Sequence, residues 1–285
     1  DFELVIADDG SKNNNFTKIE EYLNYNSFTK YVLIGNKVNK GTVQNILSAV
    51  SSIKGEYLKT ISPGDFFYDD YSLYNIMIFM QREKANICFG HAIYYSLDNN
   101  NVSFHLDIHN PFDLKPYIDQ LYKKIKHNYL IRKDYILGAS IVVKSDLMLR
   151  TLLLISDKVM YAEDGAIILM IANNEKVHYY KNRFLFYEYG SGISTCKNTY
   201  YDQKIFNDHN NIFKYMLKNK IIGKGIYNLD FSKKRYIRIF YKLIYDLTYF
   251  LFRNKKYKSF NTSTPELLSN INIILSEKNE HNKYN

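Results

Sequence analysis

Strand-like and helix-like stretches alternate through the first half of this chain, and that rhythm leaves few folds open to it. Phe2–Ala7 reads as a strand and Asp8-Asp9-Gly10-Ser11 as the turn after it. Phe16–Tyr25 reads as helix, Tyr31–Ile34 as a short strand, and Thr42–Ile53 as a second helix with Val43, Ile46, Leu47 and Val50 at helical spacing. Tyr57–Ile61 returns to strand, Tyr71–Glu83 to helix, and Ile87–Tyr95 to a mostly apolar strand closed by a turn at 98–101. Residues 102–132 lose the rhythm in aromatic, His- and Pro-containing sequence, which reads as an insertion or lid. Leu137–Val143 resumes as strand, helices follow at Asp146–Ile155 and Gly165–Ala172, and two short strands at Val177–Tyr180 and Phe184–Tyr187. The expected class is therefore α/β, a Rossmann-like doubly wound mixed sheet flanked by helices over residues 1–225. A change of composition near Gly225 sets off a basic, aromatic C-terminal helical region, 226–285.

Composition narrows the class further. With 285 residues and 46% apolar side chains the chain can fill a sizeable core, which argues against disorder. Gly 12 and Pro 4 exclude collagen-like and low-complexity classes. Cys88 and Cys196 stand far apart without metal-ligand spacing, so neither a disulfide framework nor a zinc site is expected, and a reducing cytoplasm fits. No stretch has the length of a charge-free membrane span, so the α/β part is expected to be soluble. The abundant Tyr, Asn and Lys read more readily as codon bias than as a binding device.

Three acidic turns carry the chemistry. Asp8 and Asp9 end a strand, where open α/β sheets bind ligands, and such an acid can accept bonds from a base N–H or a ribose hydroxyl. Gly10 permits the tight turn, and by itself the motif reads equally as an Asx turn capping the next helix. Asp65 ends a second strand and turn, Gly55 to Asp65, and a hard carboxylate there suits Mg²⁺ or Mn²⁺ bridging a diphosphate. A turn Asp after Pro63-Gly64 is also an ordinary structural choice. Glu163-Asp164 opens the apolar helix Gly165–Ala172, where acids favour the helix dipole, but where a carboxylate could equally take the proton of an acceptor hydroxyl.

In their order and spacing these motifs resemble the inverting glycosyltransferases of family 2, which have the GT-A fold. The resemblance runs from Phe2–Ser11 through Asn39-Lys40-Gly41-Thr42-Val43-Gln44-Asn45 and Gly55-Glu56-Tyr57. It continues to Asp65, Glu163-Asp164 and Tyr189-Gly190-Ser191-Gly192-Ile193-Ser194, covering roughly the first two-thirds of the chain. It implies that Asp9 contacts the uracil or other base, with Asp8 in support and Asn45 on the helix beside the donor pocket. It implies that Asp65 holds Mn²⁺ or Mg²⁺ on the diphosphate, that Asp164 is the base, and that Glu163 shapes the acceptor site. Gly138-Ala139-Ser140 resembles the strand lining the sugar pocket. A UDP-sugar donor and a glycan, lipid-linked or protein-linked acceptor in bacterial surface glycan synthesis are the implied partners. A degenerate domain that binds nucleotide or a protein without turnover is the alternative. Two departures stand out. The family places acids where this chain has Ser62 and Gly64, and it begins one strand and helix earlier, so that unit is expected upstream of Asp1.

The histidines at 105 and 109 fall in loop-like sequence and are not expected to hold a metal. Lys123, Lys124, Lys126, Arg132 and Lys133 read as a solvated basic face. Lys233 through Lys258 holds nine basic residues against Asp246, a local +8 out of the formal +9. Ile237, Phe240, Ile244, Leu247 and Leu251 recur there at helical spacing, with Tyr241 and Phe250 beside them. Two readings stand side by side: a helix lying on an anionic membrane surface at the inner face of the cell membrane, or one docked on the catalytic domain. Charge this local does not suit a nucleic-acid groove, and none is expected as a partner. Thr264-Pro265-Glu266 reads as the start of a last helix to about Ser276.

Overall fold

In the computed structural model, which describes residues 1–98, 101–192, 199–249, 251 and 264–281, the fold is mixed α/β with helices closing the C-terminal part. The class is the α/β one expected, and the strands lie in a two-stranded and a six-stranded mixed sheet. β1 (Leu4–Asp8) and β2 (Tyr31–Gly35) pair in parallel, Leu4 opposite Tyr31 and Asp8 opposite Gly35.

The larger sheet takes β3 (Tyr57–Lys59), β7 (Ile141–Lys144), β5 (Ile87–Asp98), β8 (Val177–Glu188) and β4 (Phe66–Phe67) in that order, with β6 (Asn101–Phe104) paired to β5. β5 and β8 run parallel at its centre, buried on both faces, which explains their near-continuous apolar sequence. The two short strands expected at 177–180 and 184–187 are one strand. Its register shifts between Gly90 and Ala92 let Lys181 and Asn182 bulge out, and that polar interruption mimics a turn in the sequence.

By contacts the described chain divides into two compact units. The first comprises residues 1–58, 143–173 and 199–231, and the second residues 59–142, 174–198 and 232–285. In the first, α2 (Thr42–Val50) lies against β1 and against α6 (Ser145–Ile155), and α7 (Gly165–Ala172) packs between α6 and α8 (Thr199–Lys218). All eight residues of α7 are buried, as an all-round apolar helix requires. α1 (Phe16–Tyr25) and α9 (Lys224–Phe231) complete the unit. The compositional boundary near Gly225 falls inside α9, and the chain passes to the second unit at Ser232.

In the second unit α3 (Ser72–Glu83) packs on β8. The stretch expected as a loose lid instead holds β6, α4 (Lys115–Ile118), α5 (Tyr122–His127) and a π-helical turn at Asn128–Arg132. Tyr117, Ile125, Tyr129, Leu130 and Ile131 from it are buried. These helices are too short to show a period, so tertiary burial orders them. Leu137–Val143 is likewise not one strand, because Gly138–Ser140 forms a 3₁₀ turn before β7.

α10 (Arg235–Tyr245) buries no residue, and α11 (Thr264–His281) sends Leu267 and Ile271 into a core with Tyr68, Ile93, Tyr95 and Phe186. Arg183 ties α11 down by pairing with Glu266 at 2.6 Å. Among the described residues no helix is long and apolar enough to cross a membrane.

Candidate functional site

The C-terminal end of β1 delivers Asp8 and Asp9 into a turn whose shape only glycine permits. Gly10 has φ +80°, and a Cβ there would meet the backbone of Val38 and Asn39. Asp8 Oδ2 accepts the N–H groups of Gly10 at 3.1 Å and Ser11 at 2.9 Å, the Asx-turn geometry. The Ser11 hydroxyl, with these N–H groups, holds its carboxyl below the usual range. Asp9 braces the 36–41 loop: Oδ1 accepts from Lys40 N at 2.9 Å and from Asn36 Nδ2 at 3.2 Å, and Oδ2 from Gly41 N at 2.7 Å. Asn45, on α2, donates to Ala7 O at 3.2 Å and accepts from Asn36 at 3.4 Å. The three residues named from sequence for the nucleotide therefore sit in one network. The Asp8 carboxylate is held by its own turn and the Asp9 carboxylate by the 36–41 loop, and Asp9 keeps acceptor capacity at Oδ2.

In the same unit Glu163 and Asp164 precede α7. Asp164 occupies the N-cap position with φ −66° and makes no side-chain cap bond, so the pair does not serve mainly as a cap. Burial raises the Glu163 carboxyl, and the neighbouring Asp164 charge adds to the effect, to about 8. Burial raises Asp164 as well, against the opposing charge of His209. Both carboxyls are thus pushed toward their protonated forms, and the charge of one opposes ionisation of the other.

What holds this pair was not visible in the sequence. Asp208 on α8, 7% exposed, accepts at Oδ2 from the backbone N–H groups of Met160 (3.1 Å), Tyr161 (2.7 Å) and Ala162 (3.1 Å). Met160 O in turn accepts from Val43 N at 3.1 Å. One buried carboxylate thus braces the loop that leads into Glu163-Asp164 and that also touches the start of α2.

The second unit holds Asp65, Gly138, Ala139 and Ser140. Asp65 is 8% exposed, and Oδ1 accepts from Glu188 N at 3.1 Å. Burial raises its carboxyl, the Glu188 N–H and the Lys59 charge oppose that rise, and the Glu188 carboxylate adds to it. Burial pulls Lys59 down to about 7 despite Asp65, and its ammonium donates to Thr60 O and Ala139 O. Ser140 is buried and spends its hydroxyl on Leu137 O at 2.8 Å. The Gly138–Ser140 segment, expected as a strand, is therefore a turn pinned to β3 by Lys59.

Glu188, at the C-terminal end of β8, is the second residue the sequence reading missed. Gly64, at φ +95°, stands where an acid was expected, and a Cβ there would collide with the Glu188 carboxylate. The space left by the absent side chain at 64 is occupied by an acid from another strand. Among the described residues no group of three or more His, Cys, Asp or Glu gathers as a metal cage. Asp65 and Glu188 offer hard oxygens, which fit a divalent cation that takes its other ligands from substrate phosphates. His91 and His109 meet at 3.0 Å, and burial lowers both. A groove of about 640 Å³ lined by Tyr74, Phe79, Arg82, His178 and Asn182 contains none of the predicted residues. Ile193 and Ser194 of the Tyr189–Ser194 motif, and Cys196, lie outside the described residues.

Residues 1–138 match the profile of the family described as Glycosyl transferase family 2. No curated protein matches the chain. Among solved structures, S. aureus TarS 1–349 in complex with UDP is similar at 11% identity, covering 92% of this chain and 85% of that one, with a TM-score of 0.45. S. aureus TarS 1–349 is similar at 11% identity over 92% and 85%, with a TM-score of 0.46. S. aureus TarS is similar at 10% identity over 87% and 48%, with a TM-score of 0.44.

Proposed function

Because residues 1–138 belong to glycosyl transferase family 2, we propose that this chain moves a hexose from a nucleotide diphosphate donor, UDP-linked, to an acceptor hydroxyl with inversion. The setting is cytoplasmic synthesis of a bacterial surface glycan or glycoconjugate, on a glycan, lipid-linked or protein-linked acceptor. The observation that carries the reading is the Glu163-Asp164 pair, half-buried, without a side-chain cap bond, and reached by a loop that Asp208 braces, in the unit that also holds Asp8, Asp9 and Asn45.

Asp9 accepts an N–H of the base with its remaining lone pair, while Asp8 and Asn45 keep the turn and α2 in register. Burial raises the carboxyls of both Glu163 and Asp164, which favours a carboxylate able to take up a proton. Asp164 takes the proton of the acceptor hydroxyl as that oxygen bonds to the anomeric carbon, and the nucleoside diphosphate leaves with the electrons of the broken bond. Asp65 and Glu188 would hold Mn²⁺ or Mg²⁺, whose chemistry when bound is to neutralise charge on the departing diphosphate.

A second reading, nucleotide or partner binding without turnover, draws on Ser62 and Gly64 standing where acids are expected. Calorimetric titration of UDP with and without Mn²⁺, beside a screen of nucleotide sugars for hydrolysis, separates the two. Metal-linked UDP affinity with hydrolysis of one donor supports the transferase. No hydrolysis and no metal dependence sinks it.

A further inference from the structure

α10 turns its apolar side outward. At 3.6 residues per turn Tyr236, Ile239, Phe240, Leu243 and Ile244 fall on one face. Tyr236 is 65% exposed, Phe240 57% and Ile244 58%, and Leu247 just beyond the helix is more exposed still. The opposite side is the half-buried one. There Arg238 donates to Ser232 O at 2.8 Å and the Lys242 ammonium sits 4.9 Å from the centre of the Tyr249 ring. The stripe expected from sequence is thus rotated, with Ile237 and Tyr241 on the half-buried side and Phe250 outside the described residues. Docking of the stripe on the catalytic part is not what the structure shows.

An amphipathic helix in water alone would present its polar side. This one presents a contiguous apolar face, the mark of an interaction surface. Its occupant is selected by charge. Lys233, Lys234 and Arg235 are exposed at the start of the helix. Asp246, the one acid between Lys233 and Lys258, is buried and taken by Arg132 and Thr248. Against the upward push of burial these bonds hold its carboxyl well below the usual range, so it stays charged and paired at any ordinary pH. A second copy of the chain would bring the same exposed Lys233, Lys234 and Arg235 against themselves. An apolar face with a cationic rim fits the surface of an anionic bilayer, with the aromatic and aliphatic side chains entering the acyl boundary and the lysines meeting headgroups.

We infer that α10 is a membrane-surface anchor that lays the face of Tyr236, Ile239, Phe240, Leu243 and Ile244 into an anionic leaflet. This does not depend on the transferase reading, and its test measures binding rather than turnover. The intact chain is sedimented with vesicles of neutral lipid and with vesicles containing anionic lipid, at low and high salt. The expected result is partitioning about tenfold or more stronger onto anionic vesicles, weakened by salt. A Phe240→Asn, Leu243→Asn variant should lose about tenfold or more of that binding with an unchanged circular dichroism spectrum, since both side chains are already in solvent. Equal binding to neutral vesicles, no binding at all, or binding that survives the double substitution overturns the inference. So does a concentration-dependent dimer, measured by sedimentation equilibrium, that the same substitutions abolish, because a second copy would then be the occupant.

Discussion

Replacing Asp208 separates what holds the candidate catalytic acids from what performs chemistry. Its single oxygen receives three backbone N–H groups, of which that of Ala162 is fully buried and those of Met160 and Tyr161 partly so. In Asp208→Ala the buried Ala162 donor is left without a partner, at about 1–3 kcal/mol, and the other two exchange a charge-assisted bond for water at about 0.5–1 kcal/mol each. The expected loss is about 2–5 kcal/mol. Asp208→Asn keeps an oxygen at that point and forfeits mainly the charge, roughly half the strength of such bonds, so about 1–2 kcal/mol is expected. The freed loop leads directly into Glu163 and Asp164, and a displacement of about 1 Å at a base lowers transfer on the order of 10²-fold. Because Asp208 Oδ2 is taken up by the backbone of residues 160–162, the loss should fall on kcat more than on KM, and the Asn variant should recover most of it. Urea unfolding with the slope checked, together with transfer rates at saturating donor, makes both measurements. Unchanged stability in the Ala variant would refute the bonding argument. Lost stability with an unchanged rate would refute the positioning role.

Asp164→Asn should keep donor affinity and lower transfer by about 10²–10⁴-fold, as removal of a base does; donor affinity falling in step with rate would move the base elsewhere. Asp65→Asn should lower metal-stimulated donor turnover by orders of magnitude and leave the fold intact, and Glu188→Gln should weaken Mn²⁺-linked UDP affinity in calorimetry by roughly 10-fold or more. UDP binding that responds to Mn²⁺ equally in the parent and in Glu188→Gln removes Glu188 from that role. Glu163, raised from 4.5 to about 8 in the fold, holds a proton that the unfolded chain releases. Its contribution to stability is therefore fully present below about pH 4.5 and lost as pH rises through about 8. Unfolding free energies measured across that window should fall less steeply in Glu163→Gln, and identical slopes would contradict the assignment.

The parts of this fold that could be read from sequence are those whose causes are local. A strand ending in Asp8-Asp9-Gly10-Ser11 declares itself because strand preference and turn chemistry both lie within a few residues, and the structure returns that strand and that turn. The helical spacing of Val43 and Val50 works for the same reason, since one face of α2 is buried along its length. The misses share the opposite property. Residues 102–132 hold short helices whose order comes from Tyr117, Ile125 and Tyr129 buried elsewhere in the unit, and no period in so few residues could reveal it. β8 was split because Lys181 and Asn182 bulge out of its ladder, a feature defined only against β5.

The same distinction separates the candidate site residues. Asp8, Asp9, Asp65, Glu163 and Asp164 were legible as acids at turns, whereas the bonds of Asp208 reach 46 to 48 residues back along the chain. Glu188 meets Asp65 across 123 residues. This distance also changes how the departure at Gly64 should be understood. In sequence it is a lost carboxylate, and in space it is the opening that lets the Glu188 carboxylate approach Asp65. Returning an acid to position 64 should therefore not strengthen the site. A side chain there is strained at φ +95° and collides with Glu188, so Gly64→Asp is expected to weaken Mn²⁺-linked UDP affinity and to recover part of it only when Glu188 is also replaced by Ala. Gain of affinity in Gly64→Asp with Glu188 intact would show that the two carboxylates do not compete for one place.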